Sequence, residues 1–81
     1  MIPRVTLYTR AGCHLCETAR QNLLAARLQT DFSLEEVDID TDPHLRDLYN
    51  EEVPVIAING RKAFKYQVDA QAFLKTLRGR T

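Results

Sequence analysis

Net charge, serine and long apolar runs are scarce in this chain, and each scarcity excludes a class of function. Eleven Lys and Arg balance eleven Asp and Glu over 81 residues, so no global field draws the chain to nucleic acid or anionic lipid. The longest apolar stretch, Val53 to Ile58, is far too short to cross a bilayer. The opening "MIPRVTLY" has no cationic segment followed by an apolar one, so no export signal is expected and the cytoplasm is the expected location. Ser33 is the single serine and has nothing nearby to activate it, and no glycine-rich phosphate loop occurs. Repeats, low-complexity tracts and linkers are also absent. The length suits one domain, residues 1–81, expected as a monomer.

What is present is a pair of cysteines, Cys13 and Cys16, in "YTRAGCHLC". A permanent staple suits them poorly. Cytosolic thiols are kept reduced, and so short a loop restrains the unfolded chain by only roughly 2 kcal/mol. A closed zinc site needs four ligands, yet only His14 and His44 are available to complete one and no second Cys-x-x-Cys follows. Redox exchange asks for two thiols at this spacing. The alternative kept beside it is a metal or iron–sulfur carrier using Cys13 with external ligands, and a third reading is a binding module without turnover.

Periodicity places the pair. Val5 to Tyr8 reads as a short strand ending at the turn "TRAG". From about Cys13 to Gln29 the pattern is helical: Leu15, Ala19, Leu23 and Ala26 share a face that Leu24 and Leu28 widen. Phe32 to Ile39 is the next strand, with a phase shift that burial on both faces or a bulge would explain. Asp42 caps a short helix with Pro43 at its first position; Leu45, Leu48 and Tyr49 form its apolar side, and Asn50 would end it in the left-handed region. Val53 to Ile58 is a strand, Asn59-Gly60 a two-residue hairpin turn, and Lys62 to Tyr66 the returning strand. Asp69 caps a last helix burying Phe73, Leu74 and Leu77, with Val68 stapled onto Phe73. The alternating Asp38, Asp40 and Asp42 fit a helix-start loop better than a calcium loop. The order β-α-β-α-β-β-α implies an α/β domain with one mixed four-stranded sheet and helices on both faces.

This order puts Cys13 where a strand hands over to a helix. Free N–H groups and the positive end of the helix dipole meet there and favour a thiolate, the species that attacks a disulfide. Cys16, one turn on, is expected to be less exposed and to act second. Arg10 is the cation best placed to add to the effect. His14, a residue further on, points away from Cys13 and is weighed evenly between tuning the site and standing by.

At "YTRAGCHLC" and "EEVPVIAING" the chain resembles the glutaredoxins of the thioredoxin-like superfamily. It is similar to small glutaredoxin-like proteins whose site reads Tyr-Thr-Arg-x-Gly-Cys-x-Leu-Cys. The resemblance implies a thioredoxin-like, glutaredoxin-type fold. It also implies a cis Pro54 beside the nucleophile and a Val53 backbone free to pair with an extended substrate. Arg10 stands where many glutaredoxins carry a lysine near the thiolate, and Tyr8 matches an aromatic that borders the site. Three departures stand out. His14 replaces the usual proline, and Leu7 occupies the place of the buried acid of thioredoxins. The Gly-Gly pair that helps hold glutathione has no match in "KAFKYQVDAQ", where Asp69 would repel a carboxylate. Arg61, Lys62 and Lys65 are candidates either to bind acidic substrate groups or to keep the hairpin soluble. The expected function is therefore dithiol–disulfide exchange with protein or small-molecule disulfides, without a cofactor. Cys13 is the expected nucleophile and Cys16 the resolving thiol. Glutathione or a thioredoxin-type reductase is the expected electron donor.

Overall fold

Alternation along one central strand organises the molecule. The structure, a computed structural model, describes residues 2–80, so both termini of the expected 1–81 unit lie outside the described residues. Strand β1 (Arg4–Thr9) sends Val5 and Leu7, both fully buried, to one face of the sheet and Thr6 and Tyr8 to the other. It pairs in parallel with β2 (Ser33–Asp38) and antiparallel with β3 (Val55–Ile58), and β3 pairs antiparallel with β4 (Arg61–Lys65). The sheet order β2-β1-β3-β4 is the mixed four-stranded arrangement expected from the element order.

Two helices close the Leu7 face. Helix α1 (His14–Arg27) links the parallel strands β1 and β2, and α3 (Ala70–Arg80) packs against it. Ala19, Leu23 and Ala26 from α1 meet Phe73, Leu74 and Leu77 from α3 over Val5, Leu7, Ile56 and Ile58 of the sheet. Phe73 sits edge-on to Phe32 at 5.2 Å between ring centres, with Phe64 at 6.3 Å, and Val68 is buried in the same cluster. Asp69 caps α3, its Oδ2 accepting the Ala72 N–H at 3.0 Å. Helix α2 (Pro43–Tyr49) covers the opposite face, where the Tyr49 ring lies 4.8 Å from that of Tyr8. Asp42 caps α2 as expected, accepting the His44 N–H at 2.9 Å.

Several boundaries differ from the sequence reading, each for a local reason. The β1–β2 register is unbroken from Ser33 to Asp38, so no bulge explains the phase shift. Phe32 and Ile39 instead lie outside the strand: Phe32 precedes it, and Ile39 opens a 3-10 turn, Ile39–Thr41, where both can turn inward. The irregularity in the sheet falls between Ile56 and Ala57, opposite β4. Asn50 is right-handed, not left-handed. Leu24 and Leu28 do not widen the buried face of α1; Leu28 is 89% exposed. Val53 and Pro54 precede β3 and lie outside it. The hairpin is as expected, with Asn59 and Gly60 at φ 52° and 86°, the doubly positive geometry that matches strand twist.

Candidate active site

Antiparallel pairing fixes which loops share one end of the sheet. Tyr8 lies opposite Val55, and Val55 opposite Lys65. The exit of β1 toward Cys13, the Val53–Pro54 entry to β3 and the Tyr66–Asp69 exit from β4 therefore all leave the sheet at the same end.

Gly12 makes the handover from β1 to α1, with φ +78°. A Cβ there would meet open space, so the requirement for glycine is conformational and not steric. Cys13 follows as the N-cap of α1, with extended backbone angles, and its Sγ accepts the Cys16 N–H at 3.1 Å. The two sulfurs are joined as a disulfide, with Cα atoms 5.2 Å apart. Their exposure differs as expected: Cys13 is partly open to solvent, while Cys16 is 3% exposed. Leu7 is fully buried and brings no acid to this region.

The other expected residues are distributed around this pair. His14 is exposed and shares a shallow depression of about 180 Å³ with Gly12, Cys13 and Glu17. Tyr8 packs against Tyr49, and burial, followed by the neighbouring Tyr49, raises its phenol above the ordinary range. The Val53–Pro54 peptide bond is cis, and Pro54 is buried. The Tyr66 N–H donates to the Pro54 carbonyl at 2.8 Å and to that of Glu52 at 3.3 Å. Among the described residues neither backbone polar group of Val53 has a hydrogen-bond partner.

Arg10 is held by Asp40 and Asn50. Its Nε and Nη2 grip both oxygens of Asp40 at 3.1 and 2.8 Å, and Nη1 and Nη2 donate to the carbonyl and the side-chain oxygen of Asn50 at 3.0 and 2.9 Å. These hydrogen bonds hold the Asp40 carboxyl below the ordinary carboxylate range. The bidentate fork ties the exit of β1 to the 3-10 turn and to the end of α2. The three alternating aspartates thus have separate tasks, since Asp38 caps the 3-10 turn, Asp40 holds Arg10 and Asp42 caps α2. Of the hairpin cations, Lys62 pairs with Glu52 at 2.7 Å and the Lys65 ammonium lies 5.3 Å from the centre of the Tyr66 ring.

Two features escaped the sequence reading. Asn50 ends α2 as its C-cap and in addition holds Arg10; pairing across forty residues leaves no local signal. Tyr66 is 45% exposed at φ +70°, where glycine or asparagine would be expected. Its ring borders two grooves. One, of about 380 Å³, runs from Leu15 and Thr18 on α1 to Val68 and Asp69; the other, of about 340 Å³, runs along Asp47, Glu51 and Glu52. Among the described residues no group of three His, Cys, Asp or Glu side chains is placed to hold a metal ion. Among them too, no helix is long and apolar enough to cross a membrane.

A mixed four-stranded sheet between helices, with a Cys-x-x-Cys pair at a helix start, defines the thioredoxin-like class. A chloroplastic thioredoxin z shares the fold at a TM-score of 0.79 and 14% identity, over 96% of this chain and 77% of that one. Within that class the chain belongs to the glutaredoxin-like domain family (DUF836), which matches residues 4–78. It is similar to a structural-genomics target protein from X. campestris, solved by X-ray, with a TM-score of 0.80 and 34% identity over 93% of this chain and 96% of that one. An uncharacterized protein of Mycobacterium tuberculosis is 31% identical over 72 residues, which is 83% of this chain and 74% of that protein.

Proposed function

We propose that the protein is a dithiol–disulfide oxidoreductase. The observation that carries this reading is the Cys13–Cys16 disulfide, with the more exposed sulfur at the amino end of α1 and the other buried one turn on. Reduction by an external thiol or dithiol, glutathione or a thioredoxin-type reductase, opens the pair. The Cys13 thiolate then attacks one sulfur of a substrate disulfide; that S–S bond breaks, a mixed disulfide forms, and the departing substrate sulfur takes up a proton. Cys16 loses its proton and attacks Cys13 Sγ, the mixed disulfide breaks, and the second substrate sulfur is protonated. Two electrons and two protons have moved to the substrate, and the protein disulfide is restored.

The helix start does the chemical work. Negative charge on Cys13 Sγ develops against the Cys16 N–H and the other unpaired N–H groups of the first turn, which stabilise it by about 0.3–1 kcal/mol, or ~2 if partly buried. With Leu7 in place of an acid, Cys16 gives its proton to water or to the leaving sulfur. The free backbone of Val53 suits an extended substrate segment added as a strand. Arg10 supports the site by holding its loop, Tyr8 packs on Tyr49 near the end of β1 that leads to it, and His14 flanks the exposed sulfur. Substrates are protein or small-molecule disulfides, met by a monomer in the cytoplasm. The test is thiol-dependent reduction of a disulfide substrate by wild type and Cys13→Ser. Catalysis abolished by the substitution is expected; equal rates would refute the reading.

A further inference from the structure

The charged residues that line the two grooves meeting at Tyr66 are all acidic, although Arg10 is bonded to Asn50 in the lining of the second. Asp69 borders the first groove, and Asp47, Glu51 and Glu52 border the second; no lysine or arginine lines either. Glu52 is neutralised by Lys62, but among the described residues Asp47, Glu51 and Asp69 form no ion pair. The cation next to Tyr66, Lys65, stands over its ring and lines neither groove.

The first groove also reaches the segment that carries the sulfurs. Leu15, between Cys13 and Cys16, is 45% exposed and forms one wall of the first groove. Ala19 and Val68 add an apolar floor to it, and Thr18, Asn22 and Gln67 a polar rim. Asn22 Nδ2 donates to the Val68 carbonyl at 2.8 Å and so fixes the segment before α3 against α1. Tyr66 stands between the grooves, its N–H anchored to the carbonyls of Pro54 and Glu52. Lys65 already stands over the phenol ring, whose remaining exposed surface offers apolar contact to an aliphatic stem.

We infer that these grooves are the docking surface for an extended polypeptide segment carrying lysine or arginine beside the substrate cysteine. The basic residues meet Asp69, Asp47 and Glu51, and the stem of one lies along Tyr66. Electrostatic complementarity is the argument, since carboxylates without an ion-pair partner at a rim favour cationic partners and repel anionic ones. A ligand whose groove-facing groups are all anionic is disfavoured by the same carboxylates. This selectivity rests on the oxidoreductase reading for its chemistry, but the charge of the grooves is testable without turnover.

The experiment uses two synthetic peptides, identical except for Lys or Glu flanking a central position, in two versions. With alanine at the centre, each is titrated into the disulfide form of the protein at low ionic strength and followed by fluorescence anisotropy. The Lys peptide should bind more tightly by about two- to five-fold per contacted carboxylate. The preference should shrink at high salt and fall toward one in an Asp47→Asn/Glu51→Gln/Asp69→Asn variant whose fold is checked by circular dichroism. Equal binding, a preference for Glu, or a Lys preference untouched by the triple variant would overturn the inference. With cysteine at the centre, in a disulfide with a reporter thiol, each peptide is reduced by the dithiol form and kcat/KM compared. Lys-selective binding without reduction of either peptide keeps the docking surface and refutes the oxidoreductase reading. Reduction of both with no Lys preference in binding does the reverse.

Discussion

Asp69 gives a prediction in which a hydrogen bond and a charge can be weighed separately. Its Oδ2 accepts the Ala72 N–H at 3.0 Å, and its carbonyl accepts the Phe73 N–H at 2.9 Å, so α3 begins here. Asp69→Ala leaves the Ala72 N–H to water and removes the charge from the helix start. The expected loss is about 1 kcal/mol, within a usual range of about 0.5–2. Because α3 carries Phe73, Leu74 and Leu77 into the core, fraying at its first turn is felt by the whole domain. For a domain of this size the loss lowers Tm by about 4–8 °C. Asp69→Asn keeps an acceptor of the same shape and ranks with Asp as a cap, so it should cost only a few tenths of a kcal/mol. The charge–dipole part of the interaction, about 0.3–1 kcal/mol at low salt, sets the upper limit of that loss. The assay is urea unfolding by circular dichroism at low and high salt, reading the midpoint at constant slope. An alanine variant as stable as wild type would refute the cap. An asparagine variant as damaged as alanine, rescued by salt in neither case, would refute the division between hydrogen bond and charge.

Further outcomes follow from the packing. Phe73→Ala should lose about 3–5 kcal/mol, which is severe for a chain expected to have about 4–12 in all, and urea unfolding measures it. A double-mutant cycle between Phe32→Leu and Phe73→Leu should return about 0.5–1.5 kcal/mol for the edge-on pair; zero coupling would contradict the observed ring geometry. Gly60→Ala should cost roughly 1 kcal/mol through its positive φ alone, because the nearest atom to the new methyl, Arg4 Nη2, is at a comfortable 3.7 Å. For the Arg10–Asp40 pair, the carboxyl is depressed in the folded state. Its contribution is therefore complete above the unfolded carboxyl's value and is lost as pH falls through the folded one. The stability difference between wild type and Asp40→Asn should be constant near neutrality and shrink below about pH 4.

The legible part of the fold lies where one residue's local chemistry decides the backbone. Asn59-Gly60, Asp42-Pro43 and Asp69 each declare a turn or cap within a few positions, and all three stand as expected. The alternation in β1 and the spacing of Ala19, Leu23 and Ala26 were legible because the sheet buries one stripe of each. Where the reading failed, distant contacts had the deciding role. Phe32 and Ile39 look like strand residues because they are apolar and β-favouring, but the sheet ends before each and the core takes them from a loop and a 3-10 turn. Leu24 and Leu28 fit the helical stripe by spacing, yet among the described residues no packed element covers them and they stay exposed. Arg10 was visible as a cation three residues before Cys13; that Asp40 and Asn50 would hold it depended on a tertiary approach no local pattern records.

The account stands on Cys13 as the attacking sulfur and Cys16 as the one that resolves. The direct measurement is mass spectrometry of the mixed disulfide formed when each single-serine variant, freshly reduced, meets a disulfide substrate. Cys16→Ser should accumulate one substrate thiol bound at Cys13, and Cys13→Ser should accumulate almost none, since its remaining cysteine, Cys16, is buried. Equal trapping in both variants, or trapping at Cys16 alone, would contradict it.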